Sequence, residues 1–252
     1  MRVAHVQGMS PVPASFSPVE TMICFDARSI MRRESTRALL TAAMVLGASW
    51  GASPLRAQSV HLPALQLPEV SARDYTAALV GGGGTAALVQ WREAFNGRTH
   101  WQLEGGLADV TGRSSPMVLL GIGAARSLQG TVPASPFQML LTGGATLSVG
   151  GSASVVRVPV GVSVGRGIEL DGGTRLTPFV HPRVSLDYCA RCGVGEGSRS
   201  TVSINADIGA AWRFDPKWEL LAAFTYTGSE LVTRDETVTI GLRLVPEALK
   251  RR

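Results

Sequence analysis

Long hydrophobic runs are missing from this 252-residue chain: after residue 58 no segment holds the ~20 unbroken apolar residues a membrane-spanning helix needs. A helical period of useful length is missing there too, which leaves an all-β domain. Lysine is almost absent, occurring only at positions 217 and 250. A water-facing sheet normally carries Lys and Glu, so its solvent side would be unusually bare. Charge is sparse at 17% of residues, and no dense basic face accompanies the formal net charge of +5. Of the basic residues, Arg2, Arg28, Arg32, Arg33, Arg37 and Arg56 precede residue 58, and the rest are scattered apart from Lys250-Arg251-Arg252. Nucleic-acid binding needs a clustered basic surface, so no nucleic-acid partner is expected. The length suits one sizeable domain with little left for a second.

What is present begins with an address. Met31-Arg32-Arg33 opens a basic stretch, Ala38–Ala48 is a short apolar run, and Leu55-Arg56-Ala57 precedes Gln58 as a small-x-small cleavage site. That order is the layout of a secretory signal peptide over 31–57, cut between Ala57 and Gln58. Residues 1–30, with Pro11, Pro13 and Pro18, show no sustained period and read as an untranslated or disordered extension, translation starting at Met31. Residues 58–73 read as an extended leader in which Pro63 and Pro68 exclude a helix. A barrel domain is expected over 74–245 and a basic tail over 246–252.

From Asp74 onward the chain alternates with period two. Val202, Ile204, Ala206, Ile208, Ala210, Trp212 and Phe214 share one face, and Ser203, Asn205, Asp207, Gly209, Ala211 and Arg213 the other. Trp218–Thr227, Thr237–Leu244 and Val155–Arg166 repeat the pattern. With Tyr75–Gly81, Ala86–Phe95, Thr99–Leu107, Met117–Ser127, Phe137–Val149 and Leu176–Tyr188 this predicts ten strands, or eight if the first hairpin is irregular. Gly81–Gly84, Asn96-Gly97, Asp171-Gly172-Gly173 and Asp215-Pro216-Lys217 are the turns.

The polar wall is Gly, Ala, Ser and Thr with isolated charges at Arg92, Glu104, Arg157, Arg183, Asp187, Asp207, Glu219 and Arg243. Small residues and sparse mixed charge suit the lumen of a narrow barrel, and Val, Leu, Ile and aromatics suit lipid. Such charges must find partners, so ion pairs crossing the lumen and a closed or barely conducting interior are expected. Phe95 and Trp101, and Trp212, Phe214 and Trp218, flank turns of one rim as an interfacial girdle would. Arg191–Ser200 and Gly228–Glu236 read as longer outer loops, and Asn96-Gly97, Asp171-Gly172-Gly173 and Asp215-Pro216-Lys217 as short periplasmic turns, with Gln129–Pro136 long for that side.

The texture of Arg157-Val158-Pro159-Val160-Gly161-Val162, Thr177-Pro178-Phe179-Val180 and Val238–Leu244 resembles the small outer-membrane β-barrel family of Gram-negative bacteria, of the OmpA/OmpX-like type, over 74–245. The resemblance implies an antiparallel up-and-down transmembrane barrel in the outer membrane, reached by Sec-type export. Its implied partners are outer-membrane lipid, lipopolysaccharide and the barrel assembly machinery. Members usually end on an aromatic residue, whereas Val245 is followed here by Pro246-Glu247-Ala248-Leu249 and the basic tail.

Chemistry is thin. Cys189 and Cys192 are the only cysteines after the cleavage site and read as a loop disulfide; a metal or redox use would want further ligands or a following helix. His181, Ser185 and Asp187 share the inward face of one strand, but at ~7 Å per two residues they cannot make mutual triad contacts. Gly81–Gly84 and Gly121-Ile122-Gly123 lack the Lys-Ser/Thr and helix of a nucleotide loop. No catalytic residue, metal ligand or cofactor is assigned. The expectation is a non-enzymatic barrel of structural, adhesive or narrow-pore type. The alternatives are a barrel-borne lipid- or peptide-processing enzyme and a soluble exported lipocalin-like binding barrel.

Overall fold

Alternating sequence becomes alternating burial. In the computed structural model, which describes residues 65–82, 84–110, 116–129, 135–150, 153–191, 197–229 and 235–246, every long segment of period two is a β-strand. All of these residues belong to the compact unit Ala52–Arg252. The extension 1–30, the signal segment 31–57 with Ala57 and Gln58, and the tail beyond Pro246 lie outside the described residues.

The strands are β1 (Arg73–Gly81), β2 (Gly84–Asn96), β3 (Thr99–Val110), β4 (Met117–Ser127), β5 (Gln138–Gly150), β6 (Ala153–Gly165), the two-residue β7 (Ile168–Glu169), β8 (Arg175–Ala190), β9 (Arg199–Asp215), β10 (Trp218–Thr227) and β11 (Asp235–Leu244). Each long strand pairs antiparallel with its chain neighbours. β1 pairs with β11 (Tyr75↔Leu244 to Gly81↔Val238) and β6 with β8, so the ten long strands close into a ring and β7 is a short flap on β8. No helix occurs among the described residues. The hairpin at Gly81–Gly84 makes the count ten rather than eight.

Prolines explain the gaps in the ladder. Pairing of β5 with β6 lapses between Gly143↔Val160 and Thr146↔Arg157, beside Pro159. Pairing of β6 with β8 lapses between Gly161↔Arg183 and Val164↔Val180, at Pro182. Proline has no N–H to donate, and the ring tolerates it because the flanking residues hold the register. At the turn after β7, Gly172 and Gly173 have φ of 80° and 76°, a conformation that side chains disfavour.

The strand faces divide sharply. Outward lie Leu79 at 68% exposure, Val202 at 67%, Ile204 at 68% and Ile208 at 60%, while Arg92, His181 and Asp187 inside are at 0%. The chain enters β1 and leaves β11 at one end of the ring, here the terminal end; the other is the distal end. At the level of the Tyr75↔Leu244 and Tyr75↔Trp91 pairs an aromatic belt surrounds the terminal end. In it Tyr75 and Trp91 stack at 6.5 Å, Trp91 meets Trp101 edge-on at 4.7 Å, and Trp212 lies 5.7 Å from Phe214. Tyr188 and Tyr226 face outward toward the distal end. The ends do not divide cleanly into short and long connections: 128–137 and 166–174, both long, sit at the terminal end with two tight turns.

The interior is not uniformly polar. Val80, Ala86, Leu88, Ala108, Met117 and Leu119 on β1 to β4, toward the distal end, belong to an apolar cluster that also takes in Leu221 and Phe179 from β10 and β8 and Leu65 and Leu67 from the segment before β1. A barrel of this width is filled by its own side chains, and apolar ones fill it as well as polar ones.

Candidate functional site

The interior is where this chain concentrates its ionisable groups, and a strap of the chain itself shares the space. Leu65–Ala72, a described part of the segment expected as an extended leader, runs from the lumen to the rim: Leu65, Gln66 and Leu67 are 3%, 1% and 1% exposed, and Ala72 is exposed. Pro68 keeps this stretch from coiling into a helix. The wall accommodates it through missing side chains. A Cβ on Gly165 would lie 2.8 Å from Pro68 Cγ, and one on Gly241 would lie 3.1 Å from Leu65 Cδ1. Gln66 Nε2 donates to Gln102 Oε1 on β3 (2.7 Å), and Ser163 Oγ on β6 donates to the Gln66 carbonyl (2.5 Å). The Gln66–Gln102 link continues into the wall, because Gln102 and Gln90 both donate to Glu104 Oε1, at 2.9 and 2.7 Å.

Around the terminal end runs a belt of alternating charge across five strands: Arg213 on β9, Glu219 on β10, Arg243 on β11, Asp74 on β1 and Arg92 on β2. Glu219 accepts from Arg213 and, at 2.7 Å, from Arg243. Asp74 accepts from Arg243 at 2.8 Å and from Arg92 at 2.9 Å. Strand register dictates the belt, since Glu219 stands opposite both Arg213 and Arg243, and Asp74 opposite Arg92. The strap adds Glu69 to it. Glu69 lies 3.3 Å from Arg243, 3.4 Å from Arg213 and 3.6 Å from Arg175. Burial alone would raise its carboxyl, but the Arg243, Arg175 and Arg213 guanidiniums outweigh that and hold it below the ordinary carboxylate value.

Two further groups occupy β5 to β10. Arg157 grips Asp187 bidentately at 2.6 and 2.9 Å, and Ser203 and Ser229 each donate to Asp187 Oδ2 at 2.9 Å. Arg183 donates to Asp207 Oδ1 at 2.7 Å, and His181 Nδ1 lies 3.1 Å from Asp207 Oδ2. A carboxylate only accepts, so His181 donates to it from Nδ1, and Nε2 on the other side of the ring lies 2.9 Å from the hydroxyl of Thr142 on β5. β6 lies between these two strands. Gly161 is the reason His181 can reach across it, because a Cβ there would sit 3.0 Å from His181 Nε2.

All eight charges singled out from sequence (Arg92, Glu104, Arg157, Arg183, Asp187, Asp207, Glu219 and Arg243) face the interior and are buried. Arg157 with Asp187 and Arg183 with Asp207 join neighbouring strands along the wall, because register brings opposite charges to adjacent positions. Sequence reasoning missed Asp74, Glu69 and Gln66. Asp74 alternates with Tyr75 at the edge of the first strand, and Glu69 is the one acid in the leader. It also missed the hydroxyl–imidazole–carboxylate chain, by seeking His181's partners on one strand rather than on β5 and β9. In a water-open site that chain could serve as nucleophile, base and orienter. Here Thr142 is 5% exposed and His181 not at all, which suits a structural clamp.

Cys189 is disulfide-bonded and Cys192 lies outside the described residues. Among the described residues no group of three His, Cys, Asp or Glu side chains could hold a metal ion.

No protein-family model matches the chain, and no curated protein sequence matches it. Its likenesses are to solved structures. The β domain of the Bordetella autotransporter BrkA is 12% identical, with a TM-score of 0.45, over 68% of this chain and 98% of that one. The KdgM porin is 10% identical, with a TM-score of 0.36, over 68% and 98%. Neisserial surface protein A is 12% identical, with a TM-score of 0.32, over 69% and 94%. At these values the likenesses assign no role to any residue here.

Proposed function

We propose that the chain is a non-enzymatic bacterial outer-membrane barrel, of structural or narrow-pore type, whose passage is shut by its own strap and charge network. The observation that carries this is the reversed distribution of polarity. The outside carries exposed Val202, Ile204, Ile208, Val160 and Ile240, while Arg92, Arg157, Arg183 and Arg243 are buried within. In water that arrangement exposes a continuous apolar surface far beyond the few hundred Å² a soluble monomer tolerates. In lipid it is the stable one, since a closed ring leaves no open sheet edge and the apolar band meets hydrocarbon. The aromatic belt at the terminal end marks one headgroup level.

A soluble lipocalin-like barrel would face its apolar residues inward, and the faces run the other way. The buried Thr142–His181–Asp207 chain gives no substrate an approach. On this reading export removes 31–57 between Ala57 and Gln58, and lipid, lipopolysaccharide and the assembly machinery are the partners. Folding into lipid vesicles, followed by the gel-mobility shift of unheated barrels and by fractionation of the tagged protein, tests it. Recovery in the soluble periplasmic fraction would overturn it.

A further inference from the structure

The wall arginines at the terminal end outnumber the wall carboxylates that face them. Arg175, Arg213, Arg243 and Arg92 meet Glu219 and Asp74, with Glu169 standing 73% exposed beside Arg175. The strap's Glu69 fills the remaining place. Its contacts, at 3.3 to 3.6 Å, are longer than the 2.7 to 2.9 Å of Arg243 to Glu219 and Asp74 and of Arg92 to Asp74. Glu69 is also solvent-accessible, at 17%, and so are Arg175 at 21% and Arg213 at 28%. Each of the three arginines keeps a carboxylate partner when Glu69 leaves: Arg243 keeps Asp74 and shares Glu219 with Arg213, and Arg175 keeps Glu169. Nothing buried and charged is orphaned by withdrawal of the strap, so the usual penalty for breaking an interior ion pair does not apply.

Elsewhere the strap's apolar anchors are Leu65 and Leu67, which lie in the buried cluster, and its polar fastenings are few. It bonds to the wall through Gln66 to Gln102 and Ser163 to Gln66, and its Leu67 N–H turns back to its own Leu65 carbonyl at 3.1 Å. It joins the sheet only at the rim, where Ala94 N–H donates to Ala72 O at 2.8 Å. Leu65 is held at φ 57°, a strained setting for a side chain with a Cβ.

We propose that Arg175, Arg213 and Arg243 form an anion-binding site at the terminal mouth that the chain occupies with its own Glu69, and that a soluble polycarboxylate taking over the site releases the strap from the lumen. A carboxylate is the fitting group because a carboxylate already fills the seat, and guanidinium forks match its geometry. More than one is needed. Glu69 is tethered and acts at high effective concentration, so a free monocarboxylate offering one equivalent charge loses the competition. A ligand with two or three carboxylates engages Arg175 and Arg213, which face solvent, together with Arg243. The site requires only the folded barrel and stands apart from the membrane reading.

Calorimetric titration of the detergent-refolded chain with citrate, acetate and chloride at matched ionic strength tests this. Citrate is expected to bind, acetate and chloride not. Glu69→Gln removes the internal competitor and should tighten citrate binding about fivefold, and Arg213→Gln should weaken it by a similar factor. A second reading uses Leu67→Cys, whose position is buried in the lumen: citrate should speed its reaction with a bulky maleimide at least tenfold. Equal citrate affinity in wild type and Glu69→Gln would overturn the self-occupied site. Acceleration by chloride as strong as by citrate would reduce the effect to screening and overturn the site as well. Binding of citrate with the position-67 thiol still protected would overturn the release of the strap.

Discussion

The two halves of the lumen are closed by different means. Beside Arg157 and Asp187 the wall supplies a bidentate pair and two serine hydroxyls on the same carboxylate. At the terminal end the wall leaves room, and the chain fills it with Leu65–Ala72. The first kind of closure is built into strand register and cannot be undone without unfolding. The second is a segment laid into a groove, removable in principle with the ring intact. A narrow barrel can therefore be permanently filled over part of its length and conditionally filled over the rest.

The comparison breaks most readily at the permanent half. Asp187→Ala leaves Arg157 buried beside two serines with no carboxylate, and should cost about 3–5 kcal/mol of stability, read from denaturant unfolding in vesicles. An unchanged midpoint would mean that water reaches Arg157 and that this half is no more closed than the other. On the outer face, one residue after Asp207, Ile208→Arg should cost about 2–4 kcal/mol in lipid, since that position faces hydrocarbon at mid-strand. The same substitution in detergent should cost far less, which separates the outer face from the inner one. Glu69→Gln belongs to the conditional half. With every arginine retaining a wall carboxylate and Glu69 partly exposed, its cost should stay below about 1 kcal/mol, while exchange of the strap's amides rises.

The smallest effect is a pH dependence. Glu69 has its carboxyl lowered by Arg243, Arg175 and Arg213 against the opposing pull of burial. A group lowered in the folded state contributes stability that is complete above its unfolded value, near 4.5, and is lost as pH falls through the lowered one. Strap protection should accordingly be flat from pH 7 to about 5 and decline only below. A loss centred near pH 6 would assign the latch to another group.

Period two made the outer surface legible in full. Val202, Ile204 and Ile208 could be turned toward lipid because their neighbours Ser203, Asn205 and Asp207 are small or polar. Which interior charges meet was not legible, because that depends on register: Arg157 finds Asp187 rather than any other acid through the pairing of β6 with β8, thirty positions apart in sequence. The strap was hidden for a different reason. Pro63 and Pro68 say only what the segment is not, and the features that receive it are absences, the missing Cβ atoms of Gly165 and Gly241, which in a strand read as ordinary small lumen residues. The reach of His181 to Thr142 likewise depends on Gly161, a residue whose contribution is empty space.

The position of the strap also sets an order of events. Gln66 bonds to β3 and β6, Glu69 leans on β8, β9 and β11, and Leu65 rests against Gly241 beside the seam where the first strand meets the last. No hairpin or partial sheet presents those surfaces together. The β1–β11 seam joins the most distant parts of the barrel chain, the slowest kind of contact to form. Only after it closes does the groove exist, so a seated strap certifies a finished ring, and a nascent barrel carries residues 65–72 as a loose end until its circumference is complete.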